Sequence, residues 1–116
     1  MILMHINDRE KAETVRRIAG NIGEEIKVIG YRELNRTLTG LSLGRVLTGN
    51  VKIPALYQMP EILVFIGVED KKTDRFLDEY KESKAEPIAL KAVATPHNIG
   101  WTVYELIEHL KEEAKG

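Results

Sequence analysis

The sequence predicts a single α/β domain, residues 1–116, with a four-stranded, mostly parallel sheet in the order 2-1-3-4 and helices packed on its faces. Three observations lead there. Short apolar runs alternate with stretches of helical periodicity, the pattern of strands joined by helical crossovers. One run, Ile62-Leu63-Val64-Phe65-Ile66, is apolar at every position, as a strand covered on both faces must be. Two other runs carry a single lysine, Lys27 and Lys91, which suits sheet edges, where a charge discourages unwanted pairing.

The elements follow in order. Ile2 to Ile6 is nearly as apolar as the third run and joins it at the centre of the sheet. A helix follows with Ala12, Val15, Ile18, Ala19 and Ile22 on one face, capped near Asn7 or Asp8 and released at Gly20 and Gly23. Ile26 to Ile29 is the first edge strand. The region from Leu34 to Leu47 is weakly helical, because Gly40 and Gly44 interrupt it, and a short or broken helix is expected. After the third strand, Asp70 is expected to cap a helix whose inward residues are Phe76, Leu77 and Tyr80. Ile88 to Val93 is the second edge strand. The last helix is the clearest, with Val103, Leu106, Ile107, Leu110 and Ala114 on one stripe.

The chain reads as one βαβα unit used twice, about 1–47 and 61–115, with a connector at 48–60. Ile2 to Ile6 lines up with Ile62 to Ile66, and Thr37-Leu38-Thr39-Gly40-Leu41 with Thr102-Val103-Tyr104-Glu105-Leu106. The connector holds Gly49, Pro54 and Pro60, yet also Val51, Ile53, Leu56, Tyr57 and Met59, too apolar for a solvated linker. Those five residues are expected to pack across the domain or to form an interface with a second copy or another protein.

Composition removes several function classes. Acidic and basic residues nearly balance, at a formal charge of −1, so the basic stripe of a nucleic-acid binder is missing. Without cysteine there is no disulfide, thiolate metal site or cysteine nucleophile. Nothing approaches the ~18 consecutive apolar residues of a membrane span, and the opening Met1 to Ile6 is too short for a secretory signal. A cytoplasmic location is the expectation. No phosphate loop, nucleophile elbow or H-x-x-x-H spacing occurs, so no cofactor, no metal site and no catalytic residue is assigned.

One stretch gathers unusual side chains. Leu90 to Thr102 reads as strand, polar turn and helix start, with Lys91, Thr95, His97 and Asn98 beside the turn. Those four are the candidate ligand-binding residues, suited to a small anionic metabolite near a helix N-terminus, where free backbone N–H groups point outward. The neighbouring residues have structural duties. Thr102 and Glu105 spell a capping box, Trp101 and Leu106 a hydrophobic staple, and Pro96 and Gly100 shape the turn. Asn35 and Thr37 would offer the matching turn of the first half. The strand order sets the two turns at opposite edges of one chain, so a dimer would be needed to join them. His5 is expected to be a hydrogen-bonded core residue and His109 a solvated one.

Several motifs of the second half occur together: Met59-Pro60-Glu61 before an apolar strand, Asp74-Arg75-Phe76-Leu77-Asp78, the run Ile88 to Asn98, then Trp101-Thr102 and the Glu105-Leu106 helix. In these residues the chain resembles, over about 59–113, a small bacterial family known as domain of unknown function 3783. Leu34-Asn35-Arg36-Thr37-Leu38 is similar to an upstream element of longer members. That family has no established activity, so the resemblance implies a domain boundary and no mechanism. The expectation is a binding or regulatory module that is not an enzyme and that associates with itself or a protein partner. The alternative is a small-molecule binding protein or enzyme using the turn after strand four.

Overall fold

The computed structural model describes residues 1–115. Four strands, β1 (Ile2–His5), β2 (Ile26–Val28), β3 (Ile62–Phe65) and β4 (Leu90–Val93), alternate with helices α1 (Arg9–Asn21), α2 (Leu38–Leu43), α3 (Asp70–Glu82) and α4 (Val103–Lys115). The sheet has the expected order β2-β1-β3-β4. β1 pairs parallel with β2, and β3 parallel with β4, while the central pair β1–β3 is antiparallel. The sheet is thus mostly parallel, as expected, and its one reversed pair lies at the centre. β2 ends beside Met4 and β3 begins beside His5, so the connector brings the chain back into the sheet at the end it left, and β3 runs against β1. The loops following β1 and β3 therefore leave from opposite ends, and no ligand crevice forms between them of the kind parallel switch points provide.

Each face of the sheet is covered. Ile2, Met4, Leu63 and Phe65 pack with Val15, Ile18, Ala19 and Ile22 of α1 and Phe76 and Tyr80 of α3. Leu3, Ile62 and Val64 pack with Leu38 and Leu41 of α2 and Val103, Leu106 and Ile107 of α4. Each fully buried Leu, Ile or Phe in these layers contributes about 1.5–3 kcal/mol relative to exposure. Phe65 and Phe76 meet edge to face at 5.2 Å, locking α3 onto the sheet.

Local signals set the helix ends. Asp8 accepts hydrogen bonds from the Glu10 and Lys11 N–H groups and so caps α1. At α3 the cap position falls on Glu69, which makes no capping bond with its side chain, and the expected cap Asp70 is the first helical residue. Leu77, expected inward, is half out of the core. α2 is short, as its glycines foretold: Gly44 takes a left-handed conformation, φ 68°, and ends it after six residues. Gly40 is needed for packing, because a Cβ there would lie 2.9 Å from the Arg45 carbonyl oxygen and 2.9 Å from Leu47 Cβ.

The two halves share their hydrogen bonding. Ile29 N–H donates to Met4 O, and Ala94 N–H to Phe65 O. Gly30 N–H donates to Glu33 Oε1 at 2.7 Å, and Thr95 N–H to Asn98 Oδ1 at 2.8 Å. α1 and α3 each have 13 residues, behind Asp8 and Glu69. Met4 thus answers to Phe65, and Ile2 to Leu63, not to Ile62 as the apolar runs alone suggest. The correction is a single residue, and it switches the face of the sheet. Ile2 and Leu63 both look toward α1 and α3, whereas Ile62 looks toward α4. Lys27 and Lys91 consequently lie on opposite faces. Lys27 Nζ donates to Leu41 O of α2, and Lys91 lies beside Leu77 of α3.

Candidate functional site

The halves join at a seam on the α2/α4 side. Thr37 and Thr102, the residues preceding the two helices, form an antiparallel bridge. Leu38 N–H donates to Trp101 O and Thr39 N–H to Ile99 O; reciprocally, Val103 N–H donates to Arg36 O and Tyr104 N–H to Leu34 O. Thr39 Oγ1 adds a bond to Ile99 O at 2.7 Å. The turn of the first half and the turn of the second therefore meet within one chain, and no second copy is needed to join them. After the edge strands, each turn crosses the sheet face to the centre.

This seam uses the groups an anion would need. Glu105 N–H donates to Thr102 Oγ1 at 3.1 Å, and Glu105 Oε1 accepts from the Thr102 N–H at 2.9 Å, completing the expected capping box. With Val103 and Tyr104 already donating across the seam, the first-turn N–H groups of α4 are occupied by protein acceptors. The outward-pointing donors expected there are absent.

Nor do the four candidate ligand residues converge. Thr95 and Asn98 bond to each other, and Asn98 Nδ2 donates to Val93 O at 3.3 Å, which closes the turn. His97 meets Trp101 in a T-shaped contact, ring centroids 5.3 Å apart. Lys91 points to the other side of the sheet, into a groove beside α3. Trp101 also meets His109 at 4.9 Å, and an open depression there is lined by Trp101, Glu105 and His109. His109 remains half exposed and pairs with Glu113. His5 Nδ1 lies 3.2 Å from Ile29 O, as a bonded histidine at the edge of the core should.

The connector packs inward. Ile53, Tyr57 and Met59 join the α2/α4 core, and Tyr57 meets Tyr104 edge to face at 5.1 Å. Tyr57 OH donates to Glu108 Oε2 at 3.0 Å; burial, reinforced by this bond, pushes its phenol pKa up. Val51 is half-buried, its N–H donating to Asn35 Oδ1. Of the five connector residues, expected to pack across the domain or to form an interface, only Leu56 stands clear of the domain, 96% exposed at φ 60°.

The apolar surface lies elsewhere. At the end of α2 and in the loop after it, Leu43, Val46 and Leu47 are 61%, 74% and 43% exposed. They sit on a fastened loop. Arg45 N–H donates to Gly40 O, Thr37 N–H to Leu47 O, and Arg36 Nη2 to Arg45 O. Sequence reasoning missed this tip because Leu43, Val46 and Leu47 resemble core residues of a weak helix. The signal was Gly44, which ends the helix and turns the next residues outward. A second unfilled surface runs along β4, where Phe76, Leu77, Tyr80, Pro87, Ile88 and Lys91 line a groove of about 390 Å³. It continues past Leu77 and Lys91 to Thr73 and Val93.

Ionic contacts serve the fold. Lys11 Nζ donates to Glu61 Oε1 at 2.6 Å, tying α1 to the start of β3. Burial alone would raise the Glu61 pKa, but the Lys11 ammonium and the Asn7 and Asp8 N–H groups hold it below its ordinary value. Among the described residues, no cluster of three or more His, Asp or Glu could hold a metal ion, and no helix is long and apolar enough to cross a membrane.

Residues 61–115, the C-terminal half of the chain, match the family model of a Domain of unknown function (DUF3783). The match covers β3, α3, β4 and α4, and with them the whole groove along β4. No curated protein and no solved structure shows a significant match to the chain.

Proposed function

We propose that the domain is a non-catalytic binding module that engages a protein through the apolar tip formed by Leu43, Val46 and Leu47. The observation that carries this reading is the combination of exposure with order. Three large apolar side chains face water on a loop whose backbone is fastened at Gly40, Thr37 and Arg36. Isolated exposed apolar residues are ordinary, but three large ones within five positions of one fastened segment suit an interaction surface. A pre-ordered loop also loses little entropy on binding, so its apolar contacts convert more fully into affinity. The small-molecule reading of the turn after β4 lacks comparable support, because its four residues face different ways and the nearby N–H groups are engaged.

A photo-crosslinking side chain at position 46 tests the reading, with one at exposed Arg16 on α1 as control. The expected result is a discrete protein adduct from position 46 in the purified protein or in extract of the cells that make it, and none from position 16. Equal labelling at both positions, or none at either, overturns it.

A further inference from the structure

We propose that the occupant of the tip is a second copy of this chain, which receives it in the groove between α3 and β4. The inference rests on the binding reading above and supplies both sides of the contact from one sequence.

The shapes and chemistry match. The tip presents exposed apolar side chains; the groove is a recess lined by Phe76, Leu77, Tyr80, Pro87 and Ile88 among others, and extends along the edge strand β4. Leu77 and Val93, at 36% and 45% exposure, form its open lip. Charge follows the same division. From residue 34 to residue 60 the chain carries Arg36, Arg45 and Lys52 and no carboxylate. Arg36 and Arg45 adjoin at the tip, and neither has an ion-pair partner among the described residues.

α3 offers the complement. Asp70, Asp74, Asp78 and Glu82 recur at every fourth position, all exposed and none in an ion pair among the described residues. Like charges at that spacing repel along a helix, a cost that cations brought by a partner would reduce. Asp78 is itself part of the groove wall. Lys81 and Lys91 also line it, so the arginines of an incoming tip are directed to the Asp74–Asp78 side.

The two surfaces lie on opposite layers. The tip extends from α2 and the groove belongs to the α3 side, so one copy cannot fill its own groove. The contact is heterologous, tip to groove, and leads to a ring or an open chain of copies.

Sedimentation velocity across a concentration series tests this directly. Wild-type protein should self-associate, more weakly at high salt. Val46→Glu on the tip and Leu77→Glu in the groove should each weaken association at least tenfold, with Val93→Glu as a second groove variant should Leu77→Glu fail to fold. The decisive step is mixing a tip variant with a groove variant. Each retains one intact surface, so the mixture should form a one-to-one heterodimer and nothing larger. A wild-type protein that stays monomeric overturns the inference, as does association indifferent to these substitutions, or a mixture that fails to pair. An adduct from position 46 to a different protein, with a monomeric purified chain, would overturn the second copy and leave the binding reading standing.

Discussion

Thr37 and Thr102 face each other across the centre of the molecule, each capping a helix and each bridged to the other's backbone. They are equivalent residues of the two halves, so the bridge marks a pseudo-two-fold axis. The same axis passes through the pairing of Leu3 with Val64 in the sheet beneath. The first-turn donors of a helix normally look to water, to a side chain or to a ligand. Here each half satisfies the other's, which couples the halves and occupies the first-turn donors of α4 that an anion would use.

This coupling predicts that the caps are not independent. Thr37→Ala and Thr102→Ala should each cost about 1 kcal/mol, the usual loss for an N-cap. Because both act through one seam, the double variant should depart from the sum of the singles by ~0.5 kcal/mol or more. Urea denaturation of the two singles and the double measures the difference. Strict additivity would show that the bridge carries no coupling.

The close approach at the seam makes a second prediction. A Cβ on Gly49 would lie 2.5 Å from Thr102 Cγ2, and Thr102 is buried. Gly49→Ala should therefore destabilise by about 1–3 kcal/mol, as overpacking does. Gly20, inside α1 with nothing within 4 Å of its Cβ position, is the control. Gly20→Ala should stabilise by about 0.5–1 kcal/mol through helix propensity. Thermal unfolding should shift the two in opposite directions.

These positions also show what the sequence could express. Strand order was legible because burial on two faces, in Ile62 to Phe65, differs from burial beside a lysine, in the runs holding Lys27 and Lys91. Strand direction was not, since an apolar run reads alike in either sense and the connector is long enough to allow both. The register between the halves was missed for a related reason. Ile2 to Ile6 and Ile62 to Ile66 lack the polar alternation that would mark a face, so they align equally well one residue apart. The helix caps, Asp8 and Glu69, hold the correct offset. At the candidate site, each residue of the turn after β4 was chemically plausible. Their divergence depends on Lys91 and His97 standing on opposite sides of the sheet, which is evident only once the register is known.

Acid should weaken the domain through Glu61. Its pKa is held below the ordinary 4.5 in the folded state, so its stabilising effect is present above that value and lost as pH falls through the folded pKa. Lys11, raised by the same contact, gives stability that persists until pH rises above its ordinary 10.5. Urea midpoints for wild type should fall between about pH 5 and pH 3, and Glu61→Gln should flatten part of that fall while lowering stability at neutral pH. A wild-type-like acid limb in the variant would remove Glu61 from the account.

The tip and the turn after β4 make opposite predictions for ligands, and a single comparison separates them. If Leu43, Val46 and Leu47 form the working surface, Val46→Glu leaves folding within about 0.5 kcal/mol of wild type, because the side chain is 74% exposed. Thermal denaturation against a panel of phosphates, carboxylates and nucleotides should then show no shift in either protein. A ligand at 100 times its Kd would add about 2.7 kcal/mol, too large to overlook. The outcome that would reverse the argument is specific: a shift produced by one anion, retained in Val46→Glu and lost in His97→Ala. That result would require His97 to leave Trp101 and the turn to reopen, since the N–H groups at the start of α4 are held by Arg36 and Leu34. The anion would have to offset those lost seam bonds, so its binding would loosen the junction between the halves. Hydrogen exchange at Val103 and Tyr104 would then rise with ligand, whereas a partner docking at the tip leaves those amides protected.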